Sequence, residues 1–137
     1  MRSEERHSRP PRLATVRREL EAAAALKVAL TSLEESKAED LVSIDLAGKT
    51  PLADFMVVAS GRSQRHVAAV AERVAEDLKK AGCTDLRMEG LRTADWVLVD
   101  AGDVVVHVFR PEIRAFYNLE KLYSNNFEVV ARSDEPA

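Results

Sequence analysis

DFMVVASGRSQRHVAAVAERVAEDLKKAG (54–82) carries a strand, a turn and a helix with no gap between them. In residues 54–60, Phe55, Met56, Val57, Val58 and Ala59 put apolar side chains on both sides of an extended chain. That pattern predicts a strand covered on both faces rather than one with a wet side. Gly61 allows a tight turn, and beyond Ser63 the apolar period changes from two to 3.6. Val67, Val70, Ala71, Val74, Leu78 and Ala81 then fall on one helical stripe. Ser63 suits the N-cap, Lys79 and Lys80 complement the dipole of the last turn, and Gly82 can supply a left-handed stop. A buried strand feeding directly into an amphipathic helix is the unit of an α/β fold.

The flanks extend this unit. Upstream, LEAAAALKVALTSLEESK (20–37) places Leu26, Ala29, Leu30 and Leu33 at helical spacing. DLVSIDL (40–46) alternates Val42, Ile44 and Leu46 with Ser43 and Asp45, the signature of a half-buried strand. Downstream, DLRMEG (85–90) predicts a short strand, and WVLVD (96–100) with DVVVHVF (103–109) a hairpin turning at Ala101-Gly102. RPEIRAFYNLEKLYSN (110–125) predicts a closing helix, with Pro111 in its first turn and Ile113, Phe116, Tyr117 and Leu119 sealing the core. The expected order is α-β-β-α-β-β-β-α, a mixed β-sheet with helices packed against it. If strands 54–60 and 85–90 run parallel, the helix between them is a right-handed crossover.

The 137 residues suit one domain. Residues 1–19 hold six Arg against three Glu and read as a leader, disordered at least to residue 12. Residues 20–125 form the folded domain, and 126–137 read as a loose acidic tail. Hydrophobic residues make up 46% and charged residues 31%, the balance of a folded soluble chain. The net charge of −3 splits into about +3 for the leader and about −6 for the remainder. Such an acidic body is repelled by phosphate and drawn to basic protein surfaces. No run approaches the roughly 18 apolar residues that span a bilayer, so a cytoplasmic location without a membrane partner is expected. With Cys83 as the one cysteine, an internal disulfide and a multi-thiolate zinc cage are both excluded.

Chemistry is hard to assemble from these residues. His7, His66 and His107 show no metal-binding spacing, and a His within a strand is more often a hydrogen-bonded structural residue. Ser63 and His66 lie within one helical turn and lack a G-x-S-x-G elbow, so Ser63 is better explained as a cap. Cys83 follows a helix C-terminus, where the dipole raises a thiol pKa. SGRSQRH (60–66) could hold phosphate at a helix N-terminus, but neither Gly-rich phosphate signature is present. Asp45, Asp54 and Asp100 occur singly, never as the D-x-D pair that would hold magnesium for nucleotidyl transfer. No catalytic, metal or cofactor site is expected. What remains is Glu89, Asp95, Trp96, Asp100, Asp103 and His107 around the hairpin, and Arg114, Tyr117 and Glu120 on the closing helix. Two readings are open for them: amphipathic anchors in an acidic surround facing a basic partner, or core aromatics with surface carboxylates nearby.

Several of these stretches together resemble the ribosomal silencing factor, or Iojap-like, family. They are DFMVVASGRSQRHV (54–67), MEG (88–90), ADWVLVDAGDVVVHVF (94–109) and RAFYNLEKL (114–122), in that order, and the likeness spans about residues 20–125. Tyr123 departs from it, where the family often carries Trp. The resemblance implies a fold similar to the nucleotidyltransferases without their catalytic acids, and a protein that is not an enzyme. It implies binding to the large ribosomal subunit through its fourteenth protein, steric exclusion of the small subunit and repression of translation under nutrient shortage. It also implies a possible homodimer and no direct nucleic-acid specificity. Trp96 and Tyr117 match the aromatic positions of the family's partner-contacting surface, and the hairpin acids match its polar surround. The competing functions are a nucleotide-binding or nucleotidyl-transferring enzyme using the Gly61 turn, and an RNA-binding ribosome assembly factor using the Arg-rich leader.

Overall fold

A computed structural model describes the backbone of residues 11–124 and 128–132 and the side chains of residues 22–122. Helix α1 (Pro11–Glu35) is followed by strands β1 (Glu39–Asp45) and β2 (Phe55–Ser60), helix α2 (Gln64–Lys80) and strand β3 (Arg87–Glu89). Strands β4 (Trp96–Asp100) and β5 (Val104–Phe109), helices α3 (Pro111–Tyr117) and α4 (Leu119–Ser124), and strand β6 (Glu128–Arg132) complete the chain. The expected order holds, with two differences near the C-terminus: the closing helix is divided, and a sixth strand follows it.

The sheet runs β3-β4-β5-β2-β1-β6. β2 and β5 form its parallel centre, with Phe55 opposite Val104 and Ser60 opposite Phe109. The other neighbouring pairs are antiparallel. β2 is therefore as buried as its composition requires. Val57 and Ala59 pack toward α1 and α2, whereas Met56 and Val58 join a second cluster on the other face. The crossover helix does not link neighbouring strands. β3 runs in the same direction as β2 but lies at the edge of the sheet, with β4 and β5 between them.

α2 begins at Ser63, whose hydroxyl accepts the His66 N–H at 3.0 Å, and it ends at Ala81 before Gly82 takes φ +114°. Val67, Val70, Val74 and Leu78 are fully buried, and each contributes about 1.5–3 kcal/mol of burial. Ala81, assigned to the same stripe, is exposed because the helix is already closing there. In α1, Leu26, Ala29 and Leu33 pack as their spacing predicts.

Three expectations need correction. β1 is not half-buried: Leu41 and Ser43 are buried along with Val42 and Ile44, since helices cover one face and a second apolar cluster covers the other. Residues 128–132, read as part of a loose tail, form β6 and pair with β1 from Val42–Arg132 to Asp45–Glu128. The short apolar run Val129-Val130-Ala131 is a weak strand signal beside the acidic end of the chain. At the other end, α1 starts at Pro11, inside the stretch read as leader. Leader residues 1–10, residues 125–127, tail residues 133–137 and the Tyr123 side chain lie outside what the structure describes.

Candidate functional site

One face of the sheet is sealed by α1 and α2; the other is only partly covered. The register of the β4–β5 hairpin sets Trp96 opposite Phe109, Leu98 opposite His107 and Asp100 opposite Val105. β3 continues these rows with Glu89 beside Leu98 and Arg87 beside Asp100. The alternating strand pleat puts these residues on the face away from α1 and α2, where Val97, Val99, Val106 and Val108 are buried. Ile113 of α3 and Leu119 of α4 pack over Phe109 and the β1–β2 side of the uncovered face, leaving Leu98 and Val105 half-buried.

A chain of aromatic rings leads out of this face. Phe109 is fully buried, Trp96 stacks on it at 4.8 Å, and Tyr117 tilts against Trp96 at 5.0 Å. Phe116 meets Tyr117 edge-on at 5.0 Å. Exposure grows outward along the series: Trp96 is half-buried, Tyr117 is 53% exposed and Phe116 79%. Phe116 and Tyr117 therefore do not seal the core as their spacing implied. α3 ends directly after them at Asn118, which adopts a left-handed conformation (φ 52°). Of the four expected core residues, Ile113 and Leu119 alone turn inward. Leu122, 60% exposed, adds a further apolar side chain from α4.

The indole N–H of Trp96 donates to His107 Nδ1 at 3.0 Å. In the neutral imidazole the proton therefore sits on Nε2. Burial pushes the His107 pKa down to about 4, so the ring is uncharged at neutral pH. Gly90 leaves room for the loop entering β4. It takes φ +94°, and a Cβ there would lie 2.2 Å from the Trp96 carbonyl oxygen.

The structure divides the charged candidates. Asp95 sits beside Trp96, but its Oδ1 accepts from Arg110 Nε at 2.7 Å and from Gln64 Nε2 at 3.0 Å. Those donors, Arg110 first, hold its carboxyl below the usual range. Arg110 also pairs with Glu112. Arg114 and Glu120 face each other in a two-pronged pair, Nε to Oε1 and Nη2 to Oε2, each at 2.9 Å. Arg114 Nη1 donates to Ser60 Oγ at 2.7 Å, and its side chain is only 9% exposed. These two residues clamp α3 and α4 onto the end of β2. Asp100 Oδ1 accepts the Gly102 N–H, and the Asp103 carbonyl accepts the Asp54 and Phe55 N–H groups. Asp100 and Asp103 thus lie at the hairpin turn, with Asp100 about 13 Å along β4 from Trp96. Glu89 stands exposed on β3. Trp96, His107 and Tyr117 come together; Asp95, Arg114 and Glu120 support them; Asp100, Asp103 and Glu89 lie apart. Reasoning from the sequence missed Leu98, Val105 and Leu122 as face residues and Arg110, Gln64 and Ser60 as supports. Asn118, a frequent left-handed cap, was the available sign that the closing helix breaks.

The Gly61 turn has a packing role. A Cβ there would meet Val67 Cγ2 at 2.8 Å, so the glycine lets the turn close on α2. The Arg62 N–H donates to His66 Nδ1 at 3.0 Å, and His66 Nε2 reaches the Ser36 carbonyl at 2.9 Å. Ser63 occupies the helix N-terminus. The N–H groups of Gly61, Arg62 and His66 are thus engaged within the protein, and the Asp95 carboxylate close to Gln64 disfavours an anion. Burial and the nearby Asp103 charge raise the Cys83 pKa. Among the described residues, no group of three or more His, Cys, Asp or Glu could hold a metal ion, and no helix is long and apolar enough to cross a membrane.

Fold and face together define an α/β domain that is helix-covered on one side of its sheet and presents a graded aromatic surface on the other. The model of a family described as ribosomal silencing factor during starvation matches residues 19–137. The ribosomal silencing factor RsfS of Zymomonas mobilis is 48% identical over 81% of this chain and 80% of its own length. A mouse protein called mitochondrial assembly of ribosomal large subunit protein 1 is 33% identical over 67% of this chain and 42% of its own. A crystal structure of a Chromobacterium violaceum protein superposes with a TM-score of 0.72 at 39% identity, covering 84% of this chain and 89% of that one. The chain belongs to the RsfS family of ribosomal silencing factors.

Proposed function

We propose that this protein docks on the large ribosomal subunit, on the surface of its fourteenth protein, through the face built around Trp96 and Tyr117. Its bulk there keeps the small subunit from joining and so represses translation, without catalysis. Family membership supports this reading, as does the mouse relative whose name ties it to assembly of the large subunit. The observation that carries it is the graded exposure of the rings. Tyr117 stays in solvent although it rests on Trp96, and Phe116 beyond it is more exposed still. Rigid amphipathic rings on a buried base are what an interface anchor requires. The acidic body favours a basic ribosomal protein over bare RNA.

Co-sedimentation with isolated subunits, followed by a joining assay, tests the proposal. The protein should pellet with large subunits and not small ones, and adding it first should lower the yield of joined ribosomes. Equal pelleting with small subunits, or unchanged joining at saturating protein, would sink the reading. Tyr117→Ala should weaken binding by about 2 kcal/mol, roughly thirtyfold, with little change in melting temperature because an exposed ring leaves no cavity. Normal binding by that variant removes the ring from the interface.

A further inference from the structure

His107 was grouped by sequence with residues that touch a partner, but its placement gives it a different task. It is 8% exposed, in the middle of β5, with Leu98 as its direct cross-strand neighbour. Its bond to Trp96 therefore runs diagonally across the hairpin, where long and aromatic side chains can still meet. Trp96 is held below by Phe109 and on one flank by Tyr117, and both contacts are ring against ring. Such contacts constrain how far the indole lies from its neighbours more than which way it points. The N–H is the indole's one strong polar group, so a bond at 3.0 Å to His107 Nδ1 supplies the missing direction. It also turns the N–H toward the buried His107.

We propose that His107 is a positioning residue: by accepting the Trp96 indole N–H from within the sheet, it fixes the ring in the orientation that the ribosomal partner meets. This rests on the docking function proposed above. A purely structural pair would predict that His107 substitutions change stability alone. A positioning pair predicts that they change affinity and the indole environment together, and that a substitute acceptor restores both.

The full chain carries one tryptophan, so its near-ultraviolet circular dichroism reads the Trp96 environment directly. His107→Phe keeps bulk and removes the acceptor, whereas His107→Gln returns an amide oxygen. The phenylalanine variant should flatten the indole band and bind large subunits about tenfold more weakly. The glutamine variant should recover the band and come within about threefold of the original affinity. An unchanged indole band in His107→Phe overturns the positioning role, and so does wild-type affinity in that variant. If the original protein fails to pellet with large subunits, the docking reading falls, and this inference with it. Original protein that binds, alongside a His107→Phe variant that binds equally well, removes the positioning role alone. Should His107→Phe not fold, the indole N–H resonance of the unaltered protein decides. Exchange much slower than a free indole supports the bond, and exchange at the free rate overturns it.

Discussion

His107 is buried in β5 and bonded to Trp96. Its ordinary pKa of 6.5 falls to about 4 because a charged imidazolium would lose its hydration inside the sheet face. Protonation would also put a hydrogen on Nδ1, opposite the Trp96 N–H, and break their bond. The folded state therefore resists a proton that the unfolded chain accepts. The resulting stability is complete above about pH 6.5 and is lost as the pH falls toward about 4. The slope is about 1.4 kcal/mol per pH unit, for a loss of about 3 kcal/mol across the window. Urea unfolding at several pH values should show that loss, and His107→Gln should flatten it. An equal slope in the variant would assign the proton to another group. Asp95 behaves oppositely in origin: Arg110 and Gln64 lower its pKa, so its contribution is present above the ordinary carboxylate range and fades only in stronger acid.

At the scale of elements, the decisive feature is the break at Asn118. The sequence predicts one continuous closing helix over residues 110–125. The left-handed residue instead divides it, and the buried Arg114–Glu120 pair bridges the break and ties both halves to Ser60. Removing one member leaves the other charge largely buried without its partner. Glu120→Ala should cost about 3 kcal/mol of folding stability and weaken large-subunit binding as well, because Tyr117 sits on the released helix. Urea midpoints and co-sedimentation of the same preparation check both parts. A stability change under about 0.5 kcal/mol would show that the pair is not the clamp.

At the scale of the whole molecule, sidedness governs what each terminus can reach. The described side chains of α1, such as Leu26, Ala29 and Leu33, pack on the face opposite Trp96. Deleting residues 1–10 should change large-subunit affinity by less than about threefold, roughly 0.7 kcal/mol. Binding at two salt concentrations makes the check sharper. Arginines that met RNA phosphate would release counterions, and their deletion would reduce the salt dependence. A tenfold loss with a shallower salt slope would bring the leader into the interface.

Elements whose cause is local were legible in the chain. Ser63, the α2 stripe and Gly82 specify a helix within one contiguous stretch, and the uninterrupted apolar run of β2 announces burial on both faces. The Asp-flanked turn of the β4–β5 hairpin is likewise encoded by neighbours, and the ordered motifs identified the family. Trp96 and Tyr117 were recognisable as candidate anchors, but whether they were core or surface was not. That distinction depends on how far α3 and α4 extend over the sheet. Tertiary structure alone decided that β2 pairs in parallel with β5 rather than β3, and that residues 128–132 cover the edge of β1. It also decided which charges remain outward. Asp95 and Glu120 look like any surface carboxylate in sequence, and it takes Arg110 and Arg114 brought within bonding distance to turn them into supports. Periodicity and capping act over a few residues and can be read along the chain; strand partners, ion pairs and the exposure of a ring depend on what distant segments bring alongside.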